Sequence, residues 1–225
     1  MLSFDCAGVR VDIHGPVQGS APLIVLNTFE HEGEHVYELC QEAGCPPLRL
    51  AAISALEWDC DLIPWEAPAP FAGRPPYQAG AAAYLKRLKE IIVPEIHNSL
   101  TGTPKFTGLA GYSLGGLFAL YAACSGSPFT HFASASGSLW YPGFADYLSR
   151  ANCPDSVKHV YLSLGDKEAA TRNRVLRQVE CATRRTLSCL QQRGIDCVFV
   201  AERGGHNTQC DERMARALRW LAERP

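Results

Sequence analysis

Apolar residues gather along this chain in short, continuous runs separated by stretches of helical spacing. Six runs stand out: "APLIVLNT" (21–28), "LRLAAISAL" (48–56), "KFTGLAGYS" (105–113), "HFASASGSL" (131–139), "HVYLSLG" (159–165) and "CVFVAERGG" (197–205). A run without polar alternation suits a strand covered on both faces, as in a parallel sheet. The opening "VRVDIHGPV" does alternate and predicts an antiparallel edge strand.

Helical segments fall between the runs: "GEHVYELCQEA", "YQAGAAAYLKRLKEIIVPEI", "SLGGLFALYAACSG", "GFADYLSR" and "TRNRVLRQVECATRRTLSCLQQRG", with "DERMARALRWLAERP" closing the chain. The fifth puts Val175, Val179, Ala182, Thr186 and Leu190 on one face and ends at Gly194, a residue suited to the position just past a helix. Pro94 lacks an N–H and is expected to kink or end the second. Strand–helix alternation of this kind predicts an α/β fold: one doubly wound sandwich over 1–225, mostly parallel, with helices on both faces. The proline- and aromatic-rich stretch 57–80 interrupts the pattern and reads as a long functional loop at the edge of the sheet.

Composition removes several classes of function. The 225 residues carry a net charge of −2, and no basic cluster exceeds the pair Arg184-Arg185, which argues against nucleic-acid binding. No apolar run is long enough to cross a bilayer. Asp5, Arg10 and Asp12 interrupt the opening segment where a signal peptide needs an apolar core, so the expectation is a cytoplasmic protein with no membrane partner. Ten cysteines lie scattered without metal-site spacing, and in that compartment they are expected to be free thiols. No metal or cofactor is expected.

The candidate chemistry begins at Gly111-Tyr112-Ser113-Leu114-Gly115, a GxSxG pentapeptide extended by Gly116. By itself the motif is weak, and a glycine-rich turn with a serine cap accounts for it equally. Its place between a predicted strand and a predicted helix is what a nucleophile elbow requires. There the serine hydroxyl stands at a helix N-terminus, where N–H groups favour a developing negative charge.

A serine needs a base, and in this fold class the partners follow in the order Ser, acid, His. His159 opens a strand, at the wrong end of a parallel sheet for chemistry. His206 lies past the last strand in "ERGGHNTQ" and is the candidate base. The turn "LGDKEAATRN" offers Asp166 and Glu168 as the acid. Asp166 fits the cap of a helix starting near Lys167, which leaves Glu168 to orient the imidazole. Oxyanion donors are expected from the N–H of Leu114 and, in the loop "NTFEHEGE", from that of Thr28 or Phe29. Tyr112, Trp140, Tyr141 and the Trp58–Phe71 loop, including Trp65, are candidates for the pocket wall. Arg172, Arg174, Arg177 and Arg203 lie near the acid and histidine loops, where they would attract an anionic substrate or simply be solvated.

Taken together these segments resemble the putative-esterase branch of the α/β hydrolases, which includes esterase D, feruloyl and acetyl-xylan esterases, enterochelin-type siderophore esterases and mycolyltransferases. "GYSLGGLFALYAA" is similar to its GxSxGG elbow, and "ASASGSLWY" to its serine-plus-aromatic stretch, carrying Ser136, Ser138 and Trp140. "LGDKEAATRN" is similar to its glycine-then-acid turn, which points to Glu168, and "GGHN" to its histidine loop. "DCDLIPW" and "IIVPEI" also have counterparts, so the likeness runs from about Pro22 onward. Glu stands here where the branch more often has Asp, and some of its siderophore esterases work as a Ser–His dyad. The resemblance implies cofactor-free hydrolysis of a small-molecule carboxylic ester or thioester through an acyl-serine. Acyl transfer by the same residues, or a binding domain that has lost the chemistry, are the alternatives.

Overall fold

The computed structural model describes residues 1–225, with eight strands in one sheet. In chain order these are β1 (Leu2–Cys6), β2 (Val9–His14), β3 (Leu23–Asn27), β4 (Arg49–Ser54), β5 (Thr107–Tyr112), β6 (His131–Ala135), β7 (His159–Gly165) and β8 (Asp196–Glu202). The sheet order is β1-β2-β4-β3-β5-β6-β7-β8, parallel from β4 to β8 and antiparallel at β1 and β2. All six continuous apolar runs are strands of the parallel part. The alternating segment is antiparallel as expected but is not the edge, because β1 pairs outside it from Leu2↔Ile13 to Cys6↔Val9.

Helices α1 (Glu32–Glu42), α2 (Trp58–Asp61), α3 (Ala81–Arg87), α4 (Val93–Asn98), α5 (Leu114–Ala123), α6 (Phe144–Arg150), α7 (Val179–Gln192) and α8 (Cys210–Ala222) complete the chain. Alternate residues of β3 feed the two faces: Leu23 and Val25 join a larger core with α3, α4 and α5, and Ile24 and Leu26 a smaller one with α1 and α8. That division explains the unbroken hydrophobicity of β3, since neither face meets water. No helix is long and apolar enough to cross a membrane.

Three local expectations are corrected. Pro94 does not end its helix, because a wider π-helical turn at Leu88–Ile92 joins α3 to α4 and leaves Pro94 in the first turn of α4, where a missing N–H costs little. α7 starts at Val179, after a tight turn at Leu176–Gln178, and buries Thr183 rather than Ala182 beside Val179, Thr186 and Leu190. Cys124 and Cys153 form a disulfide from the end of α5 to the chain beyond α6, while the other eight cysteines are free. In chain-entropy terms a 29-residue separation stabilises the fold by about 3–4 kcal/mol.

The winding of the sheet locates the site. From β3 the chain moves outward to β4, then returns to the other side of β3 as β5. Loops leaving β3 and β5 therefore diverge, opening a crevice at the carboxyl ends of these strands. Ser113 follows β5 directly, and Thr28 and Phe29 follow β3.

Candidate active site

Ser113 occupies the turn between β5 and α5 with φ 55° and ψ −117°, a region that L-residues rarely adopt. The glycines make this turn possible. A Cβ on Gly111 would collide with the backbone of Gly115, and one on Gly116 would lie 2.7 Å from Ser134 Oγ. As the first residue of α5, Leu114 has an N–H without an intrahelical acceptor, beside the Ser113 hydroxyl.

The three side chains singled out in the sequence meet here. His206 Nε2 lies 3.0 Å from Ser113 Oγ, and His206 Nδ1 lies 2.7 Å from Glu168 Oε2. With Glu168 ionised, Nδ1–H donates to the carboxylate and Nε2 is left to accept the serine proton. Ser138 Oγ is a second neighbour of the serine hydroxyl at 3.2 Å. Burial pushes the Glu168 carboxyl up, but hydrogen bonds from His206 and the Gly165 N–H, the His206 charge and a hydrogen bond from Ser136 outweigh it and hold the group below the usual carboxylate range.

Asp166 stands elsewhere. No helix begins at Lys167, so there is none to cap; instead Asp166 Oδ1 accepts the N–H of Gly204, in the loop that carries His206. Thr28 is also removed from its expected role, since its N–H donates to Ile53 O as part of the sheet. The Phe29 N–H is directed to the Glu32 carboxylate at 3.2 Å, and that carboxylate also takes the Glu30 N–H at 2.8 Å.

Two cavities meet at Ser113, His206, Asn207 and Trp58. One, about 250 Å³, runs between α1 and α8 and is walled by Phe29, Tyr112 and Met214. The other, about 410 Å³, lies under the 57–80 loop and is walled by Phe71, Tyr77 and Trp140. The expected wall residues divide accordingly. Tyr112 and Trp140 line the site, whereas Tyr141 is buried with its phenol donating to Trp65 O, and Trp65 lines a separate shallow hollow with Tyr147. None of Arg172, Arg174, Arg177 and Arg203 lines either cavity; the charged side chains that do, apart from the Glu168–His206 pair, are Glu32, Asp59 and Asp211. His159 pairs with Asp196 at the far end of the sheet. No three His, Cys, Asp or Glu side chains gather in a metal-binding arrangement.

Arg213, in α8, went unremarked in the sequence. Its guanidinium is fully buried and bonds Glu168 Oε1, the side chains of Tyr112 and Ser136, and the carbonyls of Arg203 and Gly205. Tyr112 in turn donates its phenol proton to the His206 carbonyl at 2.6 Å.

Comparison with known proteins places this geometry in a family. Residues 35–214 match the family model described as putative esterase. The uncharacterized protein YbbA of Bacillus subtilis (strain 168) is 24% identical over 202 residues, covering 86% of this chain and 80% of YbbA. Among solved structures, siderophore hydrolase EstB from Aspergillus nidulans is similar with a TM-score of 0.73 at 18% identity, covering 100% of this chain and 95% of EstB. An IroE-like serine hydrolase from Shewanella oneidensis gives a TM-score of 0.74 at 16% identity, covering 96% and 76% of the two chains. At such identities these likenesses concern the fold, that of the α/β hydrolases. The family match carries more, since it runs from α1 into α8 and takes in the elbow, the acid turn and the histidine loop: the chain belongs to the putative esterase family and is an esterase.

Proposed function

We propose that this esterase hydrolyses small-molecule carboxylic esters or thioesters through an acyl-serine intermediate on Ser113, with His206 as general base and acid and Glu168 as the group that orients it. The observation that carries this reading is the unbroken chain from Ser113 Oγ to His206 at 3.0 Å and from His206 to Glu168 at 2.7 Å, set on a strained elbow. Asp166, bonded to Gly204, is not the acid in this reading.

In the first half-reaction Ser113 Oγ attacks the ester carbonyl while His206 Nε2 takes its proton. The Leu114 N–H stabilises the oxyanion, joined by the Phe29 N–H once Glu32 yields it. The imidazolium then protonates the leaving alcohol or thiol. In the second half-reaction His206 activates water, which attacks the acyl-serine and releases the acid. Siderophore esters, the substrates named for similar folds, are one candidate class, and the two cavities at Ser113 accommodate an acyl and an alcohol moiety.

The reading is tested by hydrolysis of p-nitrophenyl acetate, butyrate and octanoate by the protein and by Ser113→Ala. Saturable turnover that disappears in the variant is expected; equal rates in both proteins would remove Ser113 from the mechanism.

A further inference from the structure

A permanent positive charge lies inside the protein one hydrogen bond from the acid, and the mechanism just described makes no use of it. Arg213 is 0% exposed. Its Nη1 reaches Ser136 Oγ at 2.9 Å, Glu168 Oε1 at 3.1 Å and Tyr112 Oη at 3.2 Å, while its Nη2 reaches the carbonyls of Arg203 at 2.8 Å and Gly205 at 3.0 Å. These acceptors come from the carboxyl ends of β5, β6, β7 and β8, so one planar group ties together the four segments that carry or adjoin Ser113, Glu168 and His206. A buried charge is retained at high cost unless its bonds do something no apolar residue would.

The geometry points to Arg213 as a positioning residue of the hydrolytic reaction, acting through Glu168 and the His206 loop; this rests on the Ser113–His206–Glu168 reading above. Two effects follow from its contacts. Bonds to the Arg203 and Gly205 carbonyls fix the chain just before His206, and the Tyr112 phenol, itself bonded to Arg213, fixes the carbonyl of His206. The imidazole is thereby held from its backbone as well as from Glu168. The guanidinium also shares the Glu168 charge. Bonded to Oε1, it leaves Oε2 to the His206 ring and fixes the plane of the carboxylate.

Charge and fork are separable by substitution. Arg213→Lys keeps the charge but cannot place two nitrogens on acceptors from separate loops, whereas Arg213→Ala removes both. With a p-nitrophenyl ester as substrate between pH 5 and 9, Arg213→Ala is expected to lose about 10²-fold in kcat, the scale of a 1 Å misplacement. Its KM should change less than about 3-fold, since Arg213 touches no substrate. Millimolar ethylguanidinium should restore part of kcat. Arg213→Lys is expected to lose kcat as well, because the charge alone cannot hold both loops. A folded Arg213→Ala with wild-type kcat would overturn the proposal, as would a loss that follows thermal stability alone with no rescue. Should the alanine variant fail to fold, Arg213→Lys decides, because unchanged kcat there removes any need for the fork. The wild-type and Ser113→Ala rates stand apart from these outcomes: if they match, the reading of the nucleophile fails irrespective of Arg213.

Discussion

The Asp166 carboxylate accepts the N–H of Gly204 at 2.8 Å, two residues before His206. Two acids of one turn thus serve the same histidine differently, one through its ring and the other through its loop. Glu168→Gln offers an amide where the imidazole needs an anion and is expected to lower kcat by about 10⁴-fold, in line with loss of the acid in comparable triads. Asp166→Asn keeps an oxygen for Gly204 and should stay within about 3-fold of wild type. Steady-state kinetics of the two variants give the ranking; the reverse order would transfer the orienting role to Asp166.

Trp58 lines both cavities, makes edge contact with Phe29 and lies 3.6 Å from where a Cβ on Gly115 would sit. It is the partition between the two chambers beside the serine. Trp58→Ala should join them and shift the preference among p-nitrophenyl acetate, butyrate and octanoate towards the longest chain. An unchanged chain-length profile would mean that the chambers do not bound the acyl group.

The chambers are lined by Glu32, Asp59 and Asp211 and by no lysine or arginine. A carboxylate-bearing substrate entering them meets like charge. At low salt, S-acetyl-3-mercaptopropionate should show kcat/KM at least about tenfold below that of acetylthiocholine, and the gap should narrow as salt screens the field. A preference for the anionic thioester would mean that cationic groups beyond the cavity walls dominate.

His131 supplies a test of stability away from the site. Burial, with the charge of the neighbouring His159 in a smaller part, lowers its pKa from 6.5 to about 4. The unfolded chain therefore binds a proton across this window that the folded one refuses, and stability falls as pH drops from about 6.5 to 4, by up to about 3 kcal/mol. Urea denaturation at pH 7, 5.5 and 4.5 should show that decline in wild type and a flatter one in His131→Phe, where a ring can still stack on Phe106. Glu168 acts in the same direction lower down: its depressed pKa stabilises the fold above the ordinary carboxylate value, and that contribution is lost as pH falls through the folded one.

The sequence exposes those features that depend on local pattern. Strands β3 to β7 are readable because each is covered on both faces and so loses its polar alternation, whereas β8, a half-exposed edge strand, is readable from its apolar residues alone. The Ser113 elbow is readable because a turn that tight leaves room for nothing larger than glycine at Gly111 and Gly116. Strand β1 is half exposed, and "LSFDC" carries too little pattern to announce its pairing with β2. Trp65 and Tyr141 were misplaced because aromatic composition does not say which side of a loop faces the cleft. Arg213 was invisible for a stronger reason. Within "ERMARALRW" an arginine looks solvated, and its burial depends on acceptors from four segments brought together only by the finished sheet. The Cys124–Cys153 bridge likewise depends on the distance between α5 and the chain after α6.

The proposed mechanism makes Ser113 a nucleophile activated by His206 and Glu168. It is tested most directly by incubating the protein with a fluorophosphonate probe, following esterase activity and mapping the adduct by mass spectrometry. One adduct on Ser113, formed in step with loss of activity and absent from Ser113→Ala, His206→Ala and Glu168→Gln at the same short exposure, is the predicted result. An adduct on another residue, or full labelling of Ser113 with activity intact, would contradict it.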